Sequence, residues 1–207
     1  MKKSPVSAAI KSKRVRKDRR EEILEQATAL FGEYGFQGTT LALVAEAVGL
    51  TEPGVLHYFP SKTHLLLGVL EYRDQKDTDR YSELMDSEKN NAEEFFGLLE
   101  GVYAQNQKIP GLIQLFTVLV SESIRSDHPS HDYFVKRYRR GRDIYTKQFL
   151  SLSQTKIRPD VDLGELASLI MAVMDGLQIQ WLLDPRKVNL VASFQLFSKI
   201  VVEYLEG

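Results

Sequence analysis

The sequence predicts an all-α chain of about nine helices: an N-terminal three-helix bundle containing a helix-turn-helix, then a C-terminal helical body. Three observations carry this. Apolar residues recur at helical spacing through most of the 207 residues. The segments end at strong breaks, Asn90-Asn91, Pro110-Gly111, Asp127-His128-Pro129, Pro159-Asp160 and Asp184-Pro185. No segment shows the alternation of a strand, and there is neither an internal repeat nor a low-complexity tract.

With 43% hydrophobic and 27% charged residues the composition is that of a soluble globular protein. There is no cysteine, which excludes disulfides, thiolate metal sites and cysteine nucleophiles. No apolar run approaches the roughly 18 residues of a membrane helix. The basic N-terminus lacks a following apolar core, so it does not read as a secretory signal. The expectation is a cytoplasmic protein with no membrane partner. The net charge of −1 hides an asymmetry. Residues 1–20 hold nine Lys and Arg against Asp18 alone, a formal +8, so the remainder sums to −9. A basic end on an acidic body points to one polyanion-binding end.

Residues 1–16 read as a basic, disordered arm that adds salt-dependent, sequence-independent affinity for phosphate. From about Lys17 to Tyr34, Ile23, Ala27, Leu30, Phe31 and Tyr34 form one apolar stripe, closed by Gly35. Leu41, Val44, Ala45 and Val48 mark a short second helix. Gly49 permits a sharp turn, Thr51 caps the next helix and Pro53 occupies its first turn. That helix, about Glu52 to Tyr58, carries Gly54, Leu56, His57 and Tyr58 rather than surface Lys and Glu. Two helices joined by a tight Gly-containing turn form the helix-turn-helix, whose second helix enters the DNA major groove. Ser61-Lys62 opens a fourth helix reaching about Met85, apolar at first and charged from Arg73 to Arg80. Further helices span about Ala92–Gln107, Leu112–Arg125, Pro129–Ser153, Leu163–Leu183 and Leu190–Leu205.

Ile23, Ala27, Phe31, Gly35, Phe36, Thr39 and Thr40 are followed in order by Val44, Ala45, Ala47, Gly49, Leu50, Thr51, Gly54, Leu56, His57, Phe59, Ser61, Lys62 and Leu65. Over about 45 residues this series resembles the DNA-binding half of the TetR family of bacterial regulators, with Gly54–Phe59 one residue shorter than the commoner form. The run Asp175–Pro185 resembles a form common in the regulatory half of many members. The resemblance implies a DNA-binding domain over 17–65 and a ligand-binding, dimerising domain over 66–207. It further implies a homodimer on a palindromic double-stranded operator, a small-molecule effector and most simply repression.

On this basis the expected DNA-binding residues are Thr40, Thr51, Glu52, Pro53, Gly54, Val55, His57, Tyr58 and Lys62, with Thr40 and Lys62 on phosphate. No Lys or Arg lies on the second helix, so bidentate guanine readout cannot come from it. Candidate pocket residues are Phe95, Phe96, Leu99, Tyr103, Phe116, Leu119, Met171, Met174, Gln178 and Trp181, large apolar groups with a few polar ones. The last two helices are apolar on two sides: Leu166, Ile170, Val173, Met174, Leu177 and Trp181 beside Leu169, Ala172, Gly176, Ile179 and Leu183 in the first, and Phe194, Phe197, Val201 and Tyr204 beside Leu190, Ser193, Leu196 and Ile200 in the second. A self-matching four-helix interface between two copies would cover them. No Gly-rich phosphate loop, nucleophile elbow or zinc-binding helix is present, so no enzyme and no cofactor is expected. His128 and His131 read as a capping cluster around Pro129 rather than a metal site. A DNA-binding architectural or division protein, or a carrier or enzyme on the same scaffold, is the alternative class.

Overall fold

The computed structural model describes residues 18–85 and 91–207, and for 77–85 the backbone alone. The basic arm assigned to 1–16 therefore lies outside the described residues. Those residues form nine helices: α1 (Arg19–Gly38), α2 (Leu41–Ala47), α3 (Glu52–Tyr58), α4 (Lys62–Met85), α5 (Ala92–Asn106), α6 (Pro110–Glu122), α7 (His131–Ser151), α8 (Leu163–Leu183) and α9 (Leu190–Glu206). The all-α expectation holds throughout them.

Local chemistry sets the helix ends. Side-chain oxygens of Asp18, Thr40, Thr51, Asn91, Asp162 and Asn189 accept from backbone N–H groups in the first turns of α1, α2, α3, α5, α8 and α9. Gly35 breaks α1 with φ 69°, and one further turn carries the chain to Gly38. Gly49, at φ 64°, makes the turn between α2 and α3. α6 begins at Pro110, two residues before the expected start, because proline is well placed in a first turn. It ends at Glu122 rather than Arg125. The two histidines hold the connection to α7: His128 Nδ1 lies 3.0 Å from Ser123 Oγ, and His131 Nδ1 lies 2.8 Å from the Ser123 carbonyl. Among the described residues no group of three or more possible ligands gathers to hold a metal.

Two apolar cores result, and α6 belongs to both. The first gathers Ile23, Ala27 and Phe31 of α1 with residues of α2, α3 and α4, and is completed by Leu112, Leu115 and Leu119 of α6 and Phe134 of α7. It carries on along α4 through Leu66, Val69 and Leu70, beyond the division drawn at 65. The second packs α5, α7, α8 and α9 around Phe95, Phe96, Phe149 and Phe194, and takes Ile113 from the other side of α6. α6 lies so close to α1 that a Cβ on Gly111 would sit 1.8 Å from the Gly32 carbonyl oxygen. Gly32 itself has room, since a Cβ there would meet nothing nearer than 3.7 Å.

α8 corrects the expectation that no segment could match a membrane span, since by length and composition it is long and apolar enough. Its apolarity has internal neighbours, however: Leu166, Ile170 and Trp181 are buried in the second core. Its other side leaves Leu169, Ile179 and Leu183 exposed, and α9 leaves Leu196, Ile200 and Tyr204 exposed. Replacing Gly111 with Ala forces α6 off α1, and the expected loss is about 1–3 kcal/mol. Thermal and urea unfolding of the full chain measure it, with Gly32→Ala, which should unfold close to the parent, as the control.

Candidate nucleic-acid interface and ligand cavity

α3 stands on the first core by Val55 and Phe59, both buried, and turns the rest of its surface outward. Thr51, Glu52, Pro53, His57 and Tyr58 are exposed, and so is Thr40 at the start of α2. The His57 and Tyr58 rings meet edge to face at 5.5 Å, giving one polar, aromatic ridge. Gly54 is half-buried. A Cβ there would meet nothing nearer than Thr51 Oγ1 at 3.4 Å, so the fold itself does not demand glycine. Two expected contact residues also hold the fold together. Val55 is fully buried, because it is the residue that anchors α3 to the core. Lys62 is engaged within the fold: its Nζ donates to the carbonyls of Phe36 (2.9 Å) and Thr39 (3.1 Å) and lies 4.4 Å from the Phe36 ring. It ties the start of α4 to the α1–α2 connection. Thr39, fully buried, closes the same connection by donating to the carbonyls of Leu30 (3.0 Å) and Gly35 (2.9 Å).

A cavity of about 450 Å³ opens between α4, α5, α6, α7 and α8. Of the ten residues expected there, Leu99, Phe116, Met171, Met174 and Gln178 line it. The other five do not. Phe95, Phe96, Tyr103 and Trp181 are part of the second core and Leu119 of the first, so their spacing reports packing. Phe95 alone meets the rings of Phe96, Tyr145 and Phe149 at 5.3, 5.6 and 5.0 Å. Tyr103 is fully buried, and its hydroxyl has no hydrogen-bond partner among the described residues; burial and the nearby Asp175 push its pKa up.

The polar side of the cavity is the part sequence reasoning missed. Asp74 of α4 accepts from the Tyr133 hydroxyl (2.8 Å), Arg137 Nε (3.1 Å) and an Arg140 Nη (3.0 Å). Burial works against the Arg137 charge, but Asp74 together with Tyr133 and Tyr138 outweighs it, and the guanidinium pKa stands above its ordinary value. Burial raises the Asp175 carboxyl, against the Tyr138 hydroxyl that donates to it at 2.6 Å. A signal was available: Tyr133, Arg137, Arg140, Ile144 and Gln148 recur three and four apart on α7, an inward stripe inside what reads as a solvated basic run.

Residues 23–69 match the family described as bacterial regulatory proteins, tetR family. The chain carries the DNA-binding domain of the TetR family over these residues. Curated relatives include the nucleoid occlusion factor SlmA of Idiomarina loihiensis, 27% identical over 163 residues that cover 78% of this chain and 82% of that protein. SlmA of Shewanella halifaxensis is 29% identical over 164 residues, 77% and 80% of the two chains. Among solved structures, a TetR transcription regulator from Haloarcula marismortui superposes with a TM-score of 0.77 at 18% identity, covering 92% of this chain and 99% of its own. A transcriptional regulator from Saccharomonospora viridis in complex with choline gives 0.73 at 22% identity, covering 89% and 95%. At these identities the structural likeness shows the TetR fold.

The chain is a DNA-binding regulator, and regulators of the TetR family bind DNA as dimers. Within its DNA-binding domain, Lys62 offers a direct test. Lys62→Met should lower stability by about 1–3 kcal/mol, the value of hydrogen bonds from a charged group. The slope of log affinity for DNA against log salt should stay unchanged, whereas loss of a phosphate contact would flatten it by about one.

Proposed function

We propose that the protein is a ligand-responsive transcriptional repressor, acting in the cytoplasm, that binds a palindromic operator as a homodimer and releases it when an effector enters the cavity. One observation carries the reading. The cavity is walled by Leu70 of α4 and Phe116 of α6, and the same two helices complete the core on which α3 stands. A ligand that favours one arrangement of α4 and α6 thereby favours one placement of the recognition helix, by its differential affinity for the two states.

In this reading Thr51, Glu52, Pro53, Gly54, His57 and Tyr58 meet DNA from α3, and Thr40 meets phosphate. Gly54 serves close approach of the helix backbone to the groove, since nothing inside the fold requires it. With no Arg or Lys on α3, base readout rests on His57, Tyr58 and DNA shape. Residues 17–65 form the DNA-binding domain and 66–207 the regulatory one, with α6 shared between their cores. The exposed faces of α8 and α9 meet their copies across a two-fold axis, covering Leu169, Ile179, Leu196 and Ile200.

A second reading follows from the curated relatives, whose names describe nucleoid occlusion factors. There the chain would mark many chromosomal sites rather than one operator. Selection of genomic fragments by the purified protein separates the two. One or a few palindromes are expected, and many dispersed sites would favour the second reading. His57→Ala and Tyr58→Ala should each weaken binding to the selected fragment by about 1–3 kcal/mol without changing the dimer. Ile179→Asp should yield monomers in sedimentation, and a stable dimer carrying it would place the interface elsewhere.

A further inference from the structure

The cavity wall has two characters, and the difference names a ligand chemistry. Leu98, Leu99, Ile113, Met171 and Met174 make an apolar side. Facing the same space, Arg137 and Arg140 of α7 share the single carboxylate of Asp74, which also takes the Tyr133 hydroxyl. Two guanidinium groups on one carboxylate leave a cationic surplus. Each also keeps N–H donors beyond the one directed at Asp74. Arg137 is held in place by the Phe116 ring, 4.5 Å from its guanidinium carbon. A third guanidinium, Arg73, lines the cavity from α4 and donates to Asn106 Oδ1 at 3.2 Å. A cationic ligand has less to meet: both oxygens of Asp74 are engaged, and Asp175 already takes the Tyr138 hydroxyl.

Resting on the ligand-responsive reading above, we infer that the effector is an amphipathic organic anion. Its carboxylate or phosphate head is taken by Arg137 and Arg140 in competition with Asp74, and its apolar body lies along the methionine and leucine side. Planar guanidinium groups suit such heads, because they bind two oxygens at once in a partly dry site. The competition also supplies the switch. Asp74 belongs to α4, the helix that leaves the recognition domain, and its hydroxyl and guanidinium partners Tyr133, Arg137 and Arg140 all belong to α7. An anion that draws the two arginines away removes the charged tie between α4 and α7. It frees the DNA-binding end to leave the groove spacing.

The test is calorimetry of the full chain with decanoate, decyl phosphate, 1-decanol and decyltrimethylammonium below their micelle concentrations. Release of the selected DNA fragment is followed in parallel. Decanoate or decyl phosphate should bind once per chain and release DNA, the two together distinguishing a carboxylate from a phosphate head. The alcohol should bind at least about tenfold more weakly, the loss expected when a charged hydrogen bond is removed. Arg137→Met should weaken the preferred anion by about tenfold or more, and Arg137→Lys should recover only part of it. If Arg137→Met does not fold, Arg140→Met carries the same expectation. Asp74→Asn should bind the anion more tightly and DNA more weakly before any ligand is added. Equal binding of the alcohol or the ammonium compound, unchanged affinity in the arginine variants, or binding of none of the four would overturn the inference. If specific DNA binding persists through those results, only the ligand chemistry falls. If an anion binds but no specific DNA is selected, the regulator reading falls instead.

Discussion

Helix α6 can lie across α1 because position 111 has no side chain, and the rest of the architecture depends on that approach. With α6 in place, Leu112, Leu115 and Leu119 complete the first core, under α3, while Ile113 on the opposite side enters the second. The two halves are then not beads on a linker. They share α6, and α7 as well through Phe134 and Phe149, and close-packed interiors transmit displacement because they have little free volume in which to absorb it. A cavity bordered by those helices is positioned to be felt at the DNA surface.

The charged tie between α4 and α7 is the second constraint. An ion pair on a cavity wall is a modest source of stability, since desolvation offsets much of the attraction. Its value lies in being exchangeable. Asp74 holds two arginines that any stronger anion could take over, whereas an apolar contact in the same place would offer a ligand nothing to replace. Burial keeps the surrounding tyrosine hydroxyls neutral, as the raised pKa values of Tyr133 and Tyr138 express, so they remain donors at any ordinary pH.

The series of residues that resembles the TetR family is largely a set of instructions for folding. Gly35 reverses the chain, Thr39 closes the reversal onto the carbonyls of Leu30 and Gly35, and Lys62 ties the same loop to α4. Val44, Ala45, Val55 and Phe59 form the core beneath α3. What such a series transmits is mostly a scaffold, on which His57 and Tyr58 stand exposed. This is why Lys62 at a helix start and Val55 within α3 resemble contact residues in the sequence while both make structural contacts in the fold.

The sequence by itself determined the helices, because each is written in local terms: spacing of apolar residues, a capping oxygen, a proline in the first turn, a glycine at a reversal. α3 and α8 fall where that spacing and those caps place them, and the outward face of α3 follows from which of its residues are apolar. Only the tertiary structure decided which apolar residues line a space and which fill one. Phe95, Tyr103 and Trp181 obey the same periodicity as Leu99, Met171 and Met174, and the difference between core and cavity lies in how five helices meet. It decided equally that Arg137, within the basic run on α7, turns inward, because the partner that makes its burial affordable is Asp74, some sixty residues away in the chain. Local rules carry no record of a distant countercharge, and that is the physical reason the ion pair on the cavity wall emerged only with the fold.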